Sequence, residues 1–167
     1  MPERRRPPAG AGEGAEPPSL ESLRGRALAL LTRREHSRAE LEARLRATGA
    51  DDGQVALVLQ ELADRHLQSD SRFAEAFVRS RVLRGQGPRV IAAELRQRGV
   101  DPALAAVALA AADADWHGRA TELRRRRFGD ALPTDARERA RQMRFLQYRG
   151  FSGEQIRQAL GGGSETD

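Results

Sequence analysis

The chain has 167 residues, enough for one compact domain or a short array of small helical units. Charged residues make up 32% and aromatics 4%, with Ala, Leu and Val supplying most of the apolar content, a mixture that suits amphipathic helices better than a β-sandwich. There is no cysteine, so disulfides, thiolate zinc sites and cysteine nucleophiles are excluded together. No apolar run follows the basic Arg4-Arg5-Arg6, and no stretch approaches the roughly 20 apolar residues of a membrane span, so the expectation is a cytoplasmic protein with no membrane contact.

Formal net charge is +5, and all 29 basic residues are arginine. Codon bias in a GC-rich genome accounts for much of that, but arginine also offers planar, bidentate hydrogen bonding to phosphate and carboxylate. Residues 1–70 carry a net −1, whereas residues 71–167 carry +6. An anionic partner is expected to meet the second part first.

In chain order, residues 1–18 are rich in Pro, Gly, Ala and Glu without apolar periodicity, which predicts a disordered tail. A first helix over about 20–33 places Leu23, Ala27, Leu30 and Leu31 on one face. Ser37-Arg38-Ala39-Glu40 reads as a capping box for a second helix, 38–48, and a third spans about 53–66 with Val55, Val58, Leu59 and Leu62 at i, i+3, i+4 and i+7. Asp70 or Ser71 opens a helix carrying Phe73, Ala76 and Phe77, which Gly85-Gln86-Gly87-Pro88 breaks; Pro88 and Pro102 then stand in the first turns of the next two helices, the second of them 102–112. Trp116 to Phe128 forms a seventh helix, Thr134 caps an eighth, and Ser152-Gly153-Glu154-Gln155 caps a short ninth. Residues 161–167 are expected to fray.

A repeat of about 50 residues organises these elements. Leu45, Leu95 and Leu146 each stand four residues before a glycine (Gly49, Gly99, Gly150), and each glycine is followed by Ala50, Val100 or Phe151 and then by Asp51, Asp101 or Ser152. Glycine just past a helix relieves the left-handed cap, and Asp or Ser starts the next helix. The fold class is therefore all-α: three tandem three-helix repeats over 19–68, 69–114 and 115–160.

An enzyme reading finds no footing. His36, His66 and His117 lie in different repeats without metal-ligand spacing and are expected as surface or helix-edge side chains; Ser37 and Ser152 are caps rather than nucleophiles. Gly85-Gln86-Gly87 follows a helix and lacks a third glycine, so it is a helix break and not a phosphate loop. No catalytic residue, metal or cofactor is expected.

The arginines are the candidates for contact. Arg124, Arg125, Arg126 and Arg127 sweep most of a helix circumference, so at least one stem must cross apolar surface; a solvated helix end and a phosphate- or acid-binding role are both open. Arg137, Arg141 and Arg144 recur at i, i+4 and i+7 as one stripe, away from Met143 and Leu146, with Asp135 or Glu138 available to neutralise part of it. Arg79, Arg81, Arg84 and Arg89 flank the glycine-rich break. Arg81 and Arg84 share a face and can bracket an anion, or Arg81 can pair internally with Glu94. Trp116 and Phe151 read as core or inter-repeat packing.

Ala39-Glu40-Leu41 after Arg34-Glu35-His36-Ser37, and the run from Asp70 to Arg81, resemble the first repeat junction of the RecX family. Gly85-Gln86-Gly87-Pro88-Arg89-Val90-Ile91 with Glu94-Leu95 and Arg98-Gly99-Val100 is similar to that family's most distinctive stretch. Trp116, Arg144-Phe145-Leu146 and Arg149-Gly150-Phe151-Ser152 are similar to its C-terminal repeat. The chain departs at Arg65-His66-Leu67-Gln68, where the family has a glycine-containing turn. The resemblance implies an elongated, curved array of helix-turn-helix-like units that binds in the groove of a RecA recombinase–DNA filament and reduces its growth, ATP hydrolysis, strand exchange and co-protease activity. A protein acting on DNA alone is the alternative that the basic balance supports, and a scaffold for an unrelated acidic protein is a third. Without a heptad run, a monomer is expected.

Overall fold

The computed structural model describes residues 16–162. Among them are nine helices and no strand: α1 (Leu20–Arg33), α2 (Arg38–Arg46), α3 (Asp52–Asp64), α4 (Asp70–Leu83), α5 (Pro88–Gln97), α6 (Pro102–Ala111), α7 (Trp116–Phe128), α8 (Ala136–Tyr148) and α9 (Gly153–Ala159). The tail expected over 1–18 lies outside the described residues up to residue 15, as do residues 163–167. Pro18 is tied down, its carbonyl accepting a hydrogen bond from Gln54 Nε2 at 3.3 Å.

Short polar side chains start eight of the nine helices, each accepting an amide hydrogen bond in the first turn. Two starts move from their sequence assignments. Ser69, not Asp70 or Ser71, caps α4, and Asp135, not Thr134, caps α8. The capping box at Ser152–Gln155 is complete, whereas the one at Ser37–Glu40 is half-formed. Ser37 Oγ accepts from the Glu40 amide, but the Glu40 carboxylate turns away to Arg34 and Arg98.

Helix ends explain the leucine–glycine spacing. After α5 and α8 the chain closes a Schellman motif, in which Gly99 and Gly150 take φ of 76° and 96°. Val100 then donates to the Leu95 carbonyl and Phe151 to that of Leu146, each at 3.1 Å. Each motif therefore favours glycine at its left-handed position and rewards an apolar pair on either side of it. α3 ends in the same hydrogen-bond pattern, Leu67 donating to Leu62, but His66 occupies the left-handed position at φ 56°. The turn without glycine is thus made by a histidine. Gly161 and Gly162, expected to fray, close the same motif after α9 through bonds to Gln158 and Arg157.

Each repeat encloses its own core. Leu23, Leu41, Leu45, Val55, Leu59 and Leu62 fill the first; Phe73, Val78, Ile91, Leu95 and Val100 the second; Leu146, Phe151, Ile156 and Leu160 the third. Full burial of such a side chain contributes roughly 1.5–3 kcal/mol. The main helix–helix packing stays within each repeat. Trp116, half-buried, packs against the second and third cores together, the inter-repeat role its position suggested.

The repeats join through backbone as much as side chain. At the first junction, Ser37 Oγ donates to the Arg98 carbonyl at 2.7 Å, and Gly99 approaches so closely that a Cβ there would lie 2.5 Å from that of Ala39. Asp70 accepts from the Arg38 amide at 2.8 Å, so a second-repeat carboxylate helps to cap a first-repeat helix. His36 is buried there at 3% exposure, not at the surface as expected, because Gln68 closes over it and donates to its carbonyl. At the second junction, the Gly87 amide donates to the Arg149 carbonyl at 2.7 Å and the Arg89 amide to that of Gly150 at 3.0 Å. A Cβ on Gly87 would sit 2.4 Å from the Gly150 carbonyl carbon. The glycine-rich segment is a helix break, as its sequence implied, and also the docking point for the third repeat.

Candidate functional site

The arginines divide by what their heads touch. Arg124 is 2% exposed; its guanidinium donates to the carbonyls of Ala131 and Asp130, holding the α7–α8 loop. It is the stem that had to cross apolar surface, and it is a structural residue. Its neighbours face outward: Arg125 pairs with Asp130 and Arg126 with Glu122, both at 2.8 Å, and Arg127 lies over the Phe128 ring. Surface pairs of this kind are worth little and leave their charge available.

On α8, Arg137 and Arg144 are exposed and enter no ion pair among the described residues. Arg141 pairs with Glu138 at 3.3 Å and stacks on Phe128, so Phe128 brings the α7 run and the α8 stripe to one place. The Glu138 carboxyl is held below its ordinary pKa by a hydrogen bond from Gln142 foremost, and by Arg141. Leu146 is buried as expected, but Met143 is not on the inward face: it is exposed, and Gln142 and Phe145 turn inward instead.

Arg81 and Arg84 line a groove of about 410 Å³ between the first two repeats, with Arg34, Arg98, Glu35, Glu40 and Phe77. Arg81 does pair with Glu94, at 2.8 Å. Burial alone would raise the Glu94 carboxyl, but hydrogen bonds from Arg81 and Gln86 and the charges of Arg81 and Arg98 outweigh it and hold the group below its ordinary value. The guanidinium groups of Arg81 and Arg98 both stand over the Phe77 ring, 4.3 and 4.7 Å from its centre. Arg84 is exposed and in no ion pair among the described residues; it also lines a groove of about 550 Å³ at the second junction with Arg119 and Arg126. Arg79 and Arg89 are exposed but line neither groove.

Arg34, Arg98, Arg119 and Phe77 were not singled out from sequence. Their signal was weak: Phe77 reads as a core position of α4, and the groove that joins it to Arg34 and Arg98 is assembled from separate segments. Among the described residues, no group of three or more His, Asp or Glu is placed to hold a metal ion, and no helix is long and apolar enough to cross a membrane.

The three-helix repeats recur in known proteins. The chain matches the models of the first, second and third three-helix domains of RecX, over residues 24–62, 69–109 and 115–160. It is 50% identical over 147 residues to the regulatory protein RecX of Halorhodospira halophila, covering 88% of this chain and 91% of that one. It is 51% identical over 134 residues to that of Chromohalobacter salexigens, covering 80% and 88%. The crystal structure of RecX from Lactobacillus salivarius superposes with a TM-score of 0.73 at 23% identity, over 85% of this chain and 94% of the other. With three domain models matched in order and half the residues shared with such relatives, the chain belongs to the RecX family of regulatory proteins.

Proposed function

We propose that this chain binds the filament that a RecA recombinase forms on DNA and restrains its ATP hydrolysis, strand exchange and co-protease activity. Family membership supports the regulatory role, and the resemblance described above supplies the partner. The observation that carries the reading is that six of the arginines marked as contact candidates in the sequence, Arg79, Arg84, Arg89, Arg127, Arg137 and Arg144, are exposed and in no ion pair among the described residues. They lie along serially joined repeats, so one molecule can touch an extended surface at several points. Arg125, Arg126 and Arg141 add charge that weak surface pairs leave accessible. Arg81 and Arg124 act from within, holding the second repeat and the α7–α8 loop.

The test is the ATPase and strand-exchange activity of the cognate recombinase with substoichiometric amounts of this protein. Both should fall. Unchanged rates would overturn the reading. Reversing charge at Arg137 and Arg144 should weaken inhibition at unchanged helix content, since neither side chain has a partner among the described residues; inhibition as strong as before would remove α8 from the interface.

A further inference from the structure

α6 is unlike every other helix here. From Pro102 to Ala112 it carries no charged or polar side chain, yet Ala103, Ala106, Val107, Ala110 and Ala111 are exposed. Beside it on α5, Arg89 and Arg96 are exposed and in no ion pair among the described residues. Both helices turn one seam toward a shared groove of about 320 Å³. The α5 seam is Arg89, Ala92, Ala93 and Arg96, and the α6 seam is Pro102, Ala105, Ala106 and Leu109. Each runs i, i+3, i+4, i+7, the spacing by which one helix face meets another.

The first repeat shows the same arginine position with its charge paired. Arg46 lies 50 residues before Arg96, at the same place on α2, and it is neutralised by Glu42 and by Asp52 of α3, both at 2.8 Å. Ala92 and Pro102 stand 50 residues on from those two acids. The second repeat thus keeps the arginine and replaces both of its partners by small apolar residues.

We infer that the α5–α6 groove is a docking site for an acidic amphipathic helix of a partner protein. Its alanine floor lets a third helix approach closely. Arg89 and Arg96, about 10 Å apart along the axis, then meet carboxylates spaced seven residues apart on that helix. A nucleic acid would use the two arginines but leave the apolar floor uncovered, and no aromatic ring lines the groove to take a base. This goes beyond the filament reading and does not need it.

The probe is a labelled synthetic helix with two glutamates seven residues apart flanking alanine and leucine, titrated against the full chain by fluorescence anisotropy. It should bind about two- to thirtyfold more tightly than its glutamine counterpart, the range that two surface charge contacts supply. In R89E/R96E the preference should invert toward a lysine counterpart, an inversion that mere misfolding does not produce. Equal binding of the glutamate and glutamine peptides would overturn the inference. So would displacement of the peptide by a duplex oligonucleotide that R89E/R96E no longer binds, or dimerisation of the wild-type chain that Ala106→Glu abolishes. Recombinase ATPase assays on R96E, whose arginine lies outside the set proposed to meet the filament, keep the two readings apart: lost peptide preference with intact inhibition supports the groove and leaves the filament reading standing.

Discussion

Arg98 and Arg149 occupy one role at two junctions: each, one residue before a left-handed glycine, gives its carbonyl to the start of the preceding repeat's second helix. Ser37 Oγ is the donor to the first and the Gly87 amide the donor to the second. The same turn that ends one helix therefore docks its repeat onto the one before. Gly99 and Gly150 serve two constraints at once, a left-handed φ and a neighbour too close for a side chain.

Gly150→Ala should be strongly destabilising. Its Cβ would lie 2.6 Å from that of Val90 at φ 96°, so left-handed strain and overpacking add to roughly 2–4 kcal/mol. Gly25, inside α1 with nothing within 4 Å of where a methyl group would stand, is the converse, and Gly25→Ala should stabilise by about 0.5–1 kcal/mol. Urea unfolding of the two variants checks both signs.

Ser37→Ala should cost more than an ordinary cap. Ser19 only caps, so Ser19→Ala should lose about 1 kcal/mol. Ser37 caps α2 and also satisfies the Arg98 carbonyl while fully buried, so about 2–3 kcal/mol is expected. Equal losses in chemical denaturation would show that the junction bond contributes nothing.

Much of this fold was legible in the residues. Leu95-to-Gly99-to-Val100 and Leu146-to-Gly150-to-Phe151 announced the helix ends because the Schellman motif is local and its demands fall on consecutive positions. The caps were legible to within a residue for the same reason. What stayed hidden was non-local. His36 is adjacent to a cap and looks solvent-facing until Gln68, at the far end of the same repeat, covers it. The run Arg124–Arg127 announced one buried stem, but only the returning loop at Asp130 and Ala131 selects Arg124. Glu40 had the spacing for a capping box and lost that role to arginines on two other segments.

His66→Gly should stabilise the first repeat. An exposed histidine at φ 56° bears left-handed strain, and glycine removes about 1 kcal/mol of that cost. A rise in melting temperature is expected; a fall would show that the His66 ring makes a stabilising contact.

Acid should weaken the first junction through His36. Burial foremost, with the nearby Arg34 charge, pulls its pKa below the ordinary 6.5 although the Arg34 carbonyl opposes this. The unfolded chain therefore takes up the proton first as pH falls. The histidine's contribution is complete above pH 6.5 and declines from there toward its lower folded-state pKa. Melting temperature should drop as pH falls below about 6.5, and His36→Phe should flatten that drop. An equally steep profile in the variant would assign the acid sensitivity elsewhere.

Salt separates a protein that grips a nucleoprotein filament from one that grips phosphate. Binding to naked DNA through arginine should weaken steeply as ionic strength rises, because each phosphate contact releases counterions. The decisive measurement is the affinity of the full chain for recombinase–DNA filaments and for the same DNA alone across a salt series. Filament binding that survives where naked DNA is released is the predicted result. Two affinities that fall together, with the filament never preferred, would contradict it.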